Sequence, residues 1–239
     1  MAKNNVEVRV YPIDEPKNNT LAFANVSIDD MTAIRGIRVV DGKNGLFVTM
    51  PQSKSVSGKY HDIAFPLNGE LRKEINAAVL GEFKVQESLE PNLRGYEKRE
   101  MEPGNGISID DIKLDVRVFP FKEPTGNVLA YASATFNDII AIRGIRVVNS
   151  DKGPFIAMPQ SKGKDGKYYD IAFPINGDLR KEISQAILTE YNSAQKSHDK
   201  KPSIADGIRE GAKQVAKQKA AKQQAAEKKM ESKTKVGAR

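Results

Sequence analysis

The chain says the same thing twice. Residues 6–83 and 114–191 align without a gap at a constant offset of 108, so that Arg35 pairs with Arg143. Met50-Pro51-Gln52-Ser53-Lys54 returns as Met158-Pro159-Gln160-Ser161-Lys162, and Asp62-Ile63-Ala64-Phe65-Pro66 as Asp170-Ile171-Ala172-Phe173-Pro174. Solenoid repeats usually run roughly 20 to 50 residues and cannot fold alone. A unit of 78 residues is better read as a duplicated small domain, near the lower size at which one core suffices without staples. The expected organisation is domain 1 over 1–89, a linker over 90–113, domain 2 over 114–195 and a tail over 196–239.

Composition narrows the function classes. There is no cysteine, which removes disulfides and thiolate metal sites and suits a reducing compartment. The first residues carry no apolar run of the signal-peptide kind, and no stretch approaches the ~18 apolar residues of a membrane span. The expectation is a soluble cytoplasmic protein without membrane contact. The net charge of +7 is unevenly placed: residues 196–239 hold 13 Lys or Arg and 5 Asp or Glu, so the other 195 residues carry −1. Basicity therefore sits in the tail, and whole-chain charge says little about the repeats. The tail from Ser203 is rich in Ala, Lys and Gln. It reads as a partly helical solvated segment, with a basic arm that grips nucleic acid as the functional alternative.

Within each repeat the pattern is α+β: about five short antiparallel strands, then one covering helix. Val6-Glu7-Val8-Arg9-Val10-Tyr11 alternates as a half-buried strand does. A second strand runs from Leu21 to Ile28, and Asp29-Asp30 is a tight connection. In the third, Ile34 and Ile37 cannot share a face under strict alternation. A bulge at Gly36 resets the phase, pointing Ile34, Ile37 and Val39 inward and Arg35 and Arg38 outward. Leu46 to Met50 is a fourth strand, Pro51 to Gly58 a polar loop, and Tyr60 to Phe65 the last strand. Asn68 is the expected N-cap of a helix whose apolar stripe is Leu71, Ile75, Ala78, Val79 and Phe83. Asn176, Leu179, Ile183, Ala186 and Ile187 repeat it.

Catalysis finds little support. His61 becomes Tyr169 in the second copy, and His198 lies in the tail. No His, Cys, Asp or Glu grouping has metal-ligand spacing, and there is no glycine-rich phosphate loop. Asp62 and Asp170 read as hydrogen-bonding or capping groups. The expectation is a non-enzyme with no cofactor and no metal.

The basic positions present in both copies carry the functional reading. They are Arg9/Arg117, Arg35/Arg143, Arg38/Arg146, Lys54/Lys162, Lys59/Lys167, Arg72/Arg180 and Lys73/Lys181, with Lys164 added in the second copy. Arg72 and Lys73 sit in a first helical turn, where cations oppose the helix dipole; an anionic partner would explain them, as would salt bridges to Glu70, Glu74 or a neighbouring unit. Tyr60/Tyr168 and Phe65/Phe173 could stack bases, but core packing is the reading favoured by their apolar strand.

Ile37-Arg38-Val39-Val40-Asp41-Gly42, Gly45 through Pro51, Gly58-Lys59-Tyr60-His61-Asp62-Ile63 and Pro66-Leu67-Asn68 together resemble the SpoVG (stage V sporulation protein G, septation protein) family. The match covers nearly all of each copy and neither linker nor tail. The resemblance implies a small α+β domain that dimerises through its sheet, and a DNA- and RNA-binding regulator of septation and sporulation. It places a basic cluster after the Met-Pro motif. This chain keeps one of the usual two adjacent basic residues there, Lys54 beside Ser53, and Lys162 beside Ser161 with Lys164 following. Arg38 and Arg146 match a family arginine, and Arg35-Gly36 stands where many members carry His-Asp.

The expected nucleic-acid contacts are thus Lys54, Lys59, Lys162, Lys164, Lys167, Arg35, Arg38, Arg143 and Arg146, with DNA or RNA as partner. The two repeats are expected to pair edge to edge as a pseudo-dimer within one chain. The alternative is a scaffold that binds cell-division proteins and no nucleic acid.

Overall fold

The computed structural model describes residues 4–16, 18–55, 57–91, 111–124, 126–163 and 165–199. Lys164, most of the expected linker and nearly all of the tail lie outside them. Met1–Ala194 forms one compact unit that contains both repeats.

Each repeat opens as an antiparallel meander. β1 (Val6–Pro12), β2 (Thr20–Ile28) and β3 (Thr32–Gly42) are neighbours in one sheet, and β4 (Gly45–Thr49) returns along the far half of β3. The β2–β3 connection is closed by the Met31 N–H donating to the Ile28 carbonyl at 3.0 Å. Asp29 and Asp30 between them hold φ of 50° and 52°, the left-handed pair that a two-residue hairpin turn needs and that Asp and Asn tolerate best after glycine. The Asp29 carboxylate also accepts the Asn5 N–H at 2.6 Å. In β3 the bulge falls where alternation requires it: Asn25 faces both Arg35 and Gly36, since Ala24 pairs with Ile37 and Val26 with Ile34. Gly36 takes φ of 75°. The phase is thereby reset, and Ile34, Ile37 and Val39 are all fully buried.

The segment after the Met-Pro motif is not a loop. β5 (Gln52–Lys54) and β6 (Tyr60–Asp62) form a small hairpin. Gln52, Ser53 and Lys54 are all exposed, so no face is apolar and hydrophobic periodicity is silent there. The expected last strand is also two strands. Its second half, β7 (Ala64–Pro66), changes partner at Ile63, whose N–H donates to Pro51 of its own repeat and whose carbonyl accepts from Arg143 of the other. Among the described residues the repeat thus has seven short strands, the main sheet having the expected five and the hairpin standing apart from it.

The second repeat follows the same plan, with β8 (Leu114–Pro120), β9 (Val128–Phe136), β10 (Ile140–Val148), β11 (Phe155–Ala157), the β12 (Gln160–Lys162) and β13 (Tyr168–Asp170) hairpin, and β14 (Ala172–Pro174). Asn137 and Asp138 repeat the left-handed turn, at φ of 48° and 54°, and Gly144 repeats the bulge.

The short last strands cross between repeats. β7 pairs with β10, setting Ala64 against Ile142 and Pro66 against Ile140. Reciprocally, β14 pairs with β3, setting Ala172 against Ile34 and Pro174 against Thr32. Flanking backbone bonds extend each pairing: Arg35 N–H to Ile171 O at 2.7 Å and Ile175 N–H to Met31 O at 2.9 Å on one side, Arg143 to Ile63 and Leu67 to Ile139, both at 2.7 Å, on the other. Each five-stranded sheet thus holds four strands of one repeat and one of its sibling, and an otherwise open edge is covered.

Helices close the inner faces. α1 (Gly69–Ser88) starts at Asn68, whose side chain accepts the Leu71 N–H at 2.6 Å. It buries Leu71, Ile75, Val79 and Phe83. α2 (Gly177–Asp199) buries Leu179, Ile183, Ile187 and Tyr191. The buried side chains of both repeats form a single contiguous cluster. Joining two small units raises the fraction of surface each removes from water. None of the described helices is long and apolar enough to cross a membrane.

Candidate nucleic-acid interface

With α1 on the inner face, the outer face of the first sheet is left to side chains of the opposite phase. Directly opposed residues of neighbouring strands share a face. The register aligns Tyr11, Phe23, Arg38 and Thr49 across β1 to β4. The same row in the second repeat is Phe119, Tyr131, Arg146 and Ala157. Phe23 is 46% exposed and Tyr131 47%. Each repeat therefore sets a half-buried arginine beside an exposed ring. Phe121 meets Tyr131 edge-on at 5.5 Å. Arg146 Nη2 donates to Gln160 Oε1 at 3.3 Å.

The basic pattern does not single out Phe23 and Tyr131, although the sequence holds a signal for them. In Leu21-Ala22-Phe23-Ala24-Asn25-Val26-Ser27-Ile28 the residues Ala22, Ala24, Val26 and Ile28 make the inward phase, all fully buried. A phenylalanine in the other phase, alongside Asn25, is an outward aromatic.

Arg35 and Arg143 mark the boundary between repeats. The Arg35 guanidinium lies 4.7 Å from the centre of the Phe173 ring, and Arg143 lies 4.6 Å from that of Phe65. Such cation–π contacts contribute about 0.5–1 kcal/mol at exposed sites. Phe65 and Phe173 are half-buried under these cations. Tyr60 and Tyr168, expected in the core, are instead 64% and 65% exposed, because the hairpin they belong to stands off the sheet rather than forming part of it.

The lysines Lys54, Lys59, Lys162 and Lys167 are exposed on the two hairpins. Lys54 Nζ approaches the Tyr60 ring at 5.8 Å from its centre. The hairpins differ at their turns. Tyr169 Oη donates to Asp165 at 2.5 Å, which raises the tyrosine pKa and lowers that of the aspartate. The first repeat has His61 and Ser57 at these places.

Arg72 and Arg180 are committed elsewhere. Arg72 pairs with Asp62 at 3.4 Å, and Asp62 also accepts from Gln52 Nε2 at 2.9 Å. Arg180, Asp170 and Gln160 form the same triad. The partner is thus a strand aspartate of the same repeat, neither Glu70, Glu74 nor a neighbouring unit. Asp62 and Asp170 tie hairpin to helix, the structural role expected of them. Lys181 pairs with Asp178 at 2.8 Å, which raises its pKa.

Among the described residues, recesses on two sides of Arg35 draw residues from both repeats. One, of about 310 Å³, is lined by Phe23, Arg35, Arg38 and Tyr60 of the first repeat and by Tyr169 and Ile171 of the second, among others. The other is formed around Tyr168, Phe173 and Arg180. No grouping of three or more His, Cys, Asp or Glu suited to a metal occurs among the described residues.

Sequence comparison bears on what this surface belongs to. The SpoVG family model matches residues 3–85 and again 112–193. A relative from Anaeromyxobacter sp. (strain K) is 39% identical over 93 residues, 39% of this chain and 90% of the relative. One from Myxococcus xanthus is 46% identical over 77 residues, 32% of this chain and 76% of the relative. One from Borrelia hermsii is 39% identical over 85 residues, 36% of this chain and 86% of the relative. Each is called "Putative septation protein SpoVG". Two family units in tandem, each with the strand order and helix described above, make this chain a member of the SpoVG family.

Proposed function

We propose that the protein is a nucleic-acid-binding regulator linked to septation or sporulation control, and that its two repeats work as an intramolecular pseudo-dimer. The septation link comes from the names of the relatives. One observation carries the binding reading: in both repeats an arginine faces an exposed aromatic at the same register of the outer sheet face, Arg38 with Phe23 and Arg146 with Tyr131. Cations positioned among rings suit a phosphate backbone with bases beside it. The exposed lysines of the β5–β6 and β12–β13 hairpins add sequence-independent phosphate contacts. The reciprocal exchange of β7 and β14 supports the pseudo-dimer.

The test is binding measured across salt concentrations. Affinity should fall steeply with salt as counterions are released. Replacing Lys54 and Lys162 together with Ala should weaken binding similarly for unrelated sequences and flatten the salt slope by about one per lysine. Residues 1–195 should retain binding seen with the full chain. If only the full chain binds, the tail is the binding element and this surface is not.

The net charge of −1 on residues 1–195 favours a second reading, a septation scaffold that binds protein. Salt-independent indifference to every oligonucleotide would select it.

A further inference from the structure

The recess shared by the repeats has a more specific chemistry than a basic patch. Three rings line it, Phe23 and Tyr60 from the first repeat and Tyr169 from the second, with the guanidinium-bearing Arg35 and Arg38. The backbone at Gly36 also lines it, and a Cβ built there would meet nothing within 4 Å. The Tyr169 ring is held by its hydroxyl donating to Asp165. The carboxylate that lines it, Asp170, is paired with Arg180 and accepts a hydrogen bond from Gln160. Rings therefore meet Arg35 and Arg38, which have no ion pair among the described residues, in one place. Side chains of this kind offer flat apolar faces to a base and charge to its phosphate. Inside a duplex both faces of a base are covered by its neighbours, and exposing them costs unstacking and unpairing.

We propose that this cross-repeat groove seats an unpaired base of a single-stranded nucleic acid. The proposal rests on the nucleic-acid reading above and names its substrate class. Phe23, Tyr60 and Tyr169 wall the base with aromatic surface, and Arg35 and Arg38 meet the adjoining phosphate. Duplication makes the site unequal to its counterpart. Shifting each position by 108 exchanges Phe23 for Tyr131, Tyr60 for Tyr168 and Tyr169 for His61. The counterpart has the smaller imidazole of His61 in place of the Tyr169 ring and lacks the aspartate anchor, because Ser57 stands where Asp165 does. The Tyr169-bearing groove is accordingly the stronger of the two.

The experiment uses the full chain, a short labelled single strand of mixed sequence, and the duplex made from it. Phe23→Ala with Tyr169→Ala is the decisive variant; the side chains are 46% and 45% exposed and neither belongs to the core, and a melting temperature close to the parent's checks that the fold is kept. Single-strand affinity should drop by about tenfold or more, the loss expected from removing base-stacking rings, while duplex affinity stays within about twofold. Tyr169→Phe keeps the ring and should bind the single strand far better than Tyr169→Ala. His61→Ala should weaken single-strand binding less than Tyr169→Ala. Equal losses for single strand and duplex, or none for either, would overturn the groove while leaving nucleic-acid binding by this protein intact. A parent protein that binds neither would overturn both. A free mononucleotide that binds as tightly as the strand would overturn the strand as the occupant.

Discussion

Ala172→Asp should unfold the first repeat together with the second, at a cost of about 3–5 kcal/mol, the scale for an uncompensated buried charge. Ala172 is fully buried. It lies on β14, which belongs by sequence to the second repeat but pairs by register with Ile34 of the first. A carboxylate there enters the common core beside Ile34 with no cation to meet it. Small domains are stabilised by only about 5–15 kcal/mol, so the loss takes a large share. The informative readout is location. Hydrogen exchange should accelerate at the amides of Met31 to Arg35, which lie well over a hundred positions away in sequence. If the first repeat kept its protection while the second unfolded, the exchanged strand would not couple the two.

The second large effect concerns the outer face. If the outer face binds nucleic acid as proposed, Arg38→Glu combined with Arg146→Glu should reduce affinity for any oligonucleotide on the order of 100-fold at low salt, since two cations become two anions that repel phosphate. The difference should shrink as salt rises, because screening removes attraction and repulsion alike. Both side chains are half-exposed on the face opposite the core, and the exchange breaks the exposed 3.3 Å hydrogen bond from Arg146 to Gln160. The variant should therefore melt close to the parent, which separates a binding defect from a folding defect. Unchanged affinity would remove these arginines from the interface.

Much of the fold could be read from residues whose constraint is local. The phase slip between Ile34 and Ile37 demanded a bulge, and Gly36 is the residue that tolerates its positive φ. Asp29-Asp30 announced the turn, and Asn68 the helix, because their side chains satisfy nearby backbone groups. What stayed hidden depended on partners distant in the chain. Alternation tells which face of a strand is buried, but not which strand lies beside it. Ala64-Phe65-Pro66 therefore looked like the end of its own hairpin strand, although it joins the sibling sheet. Gln52-Ser53-Lys54 is polar on both faces and left no trace as a strand. The aspartate that engages Arg72 sits ten positions earlier, on another element, where helical spacing does not point. For the candidate site, Arg35, Arg38 and their copies were visible as outward cations. The groove beside them was not, since four of its eleven lining residues come from the other repeat.

Mutual dependence of the two repeats is the claim on which the groove, the pairing of sheets and the common core all rest. It is tested most directly by light scattering coupled to size exclusion on residues 1–91 and 111–199, separately and mixed. Strand exchange predicts that mixing gives a one-to-one heterodimer, and that either piece alone self-associates or stays unfolded. Two folded monomers that ignore each other on mixing would contradict it.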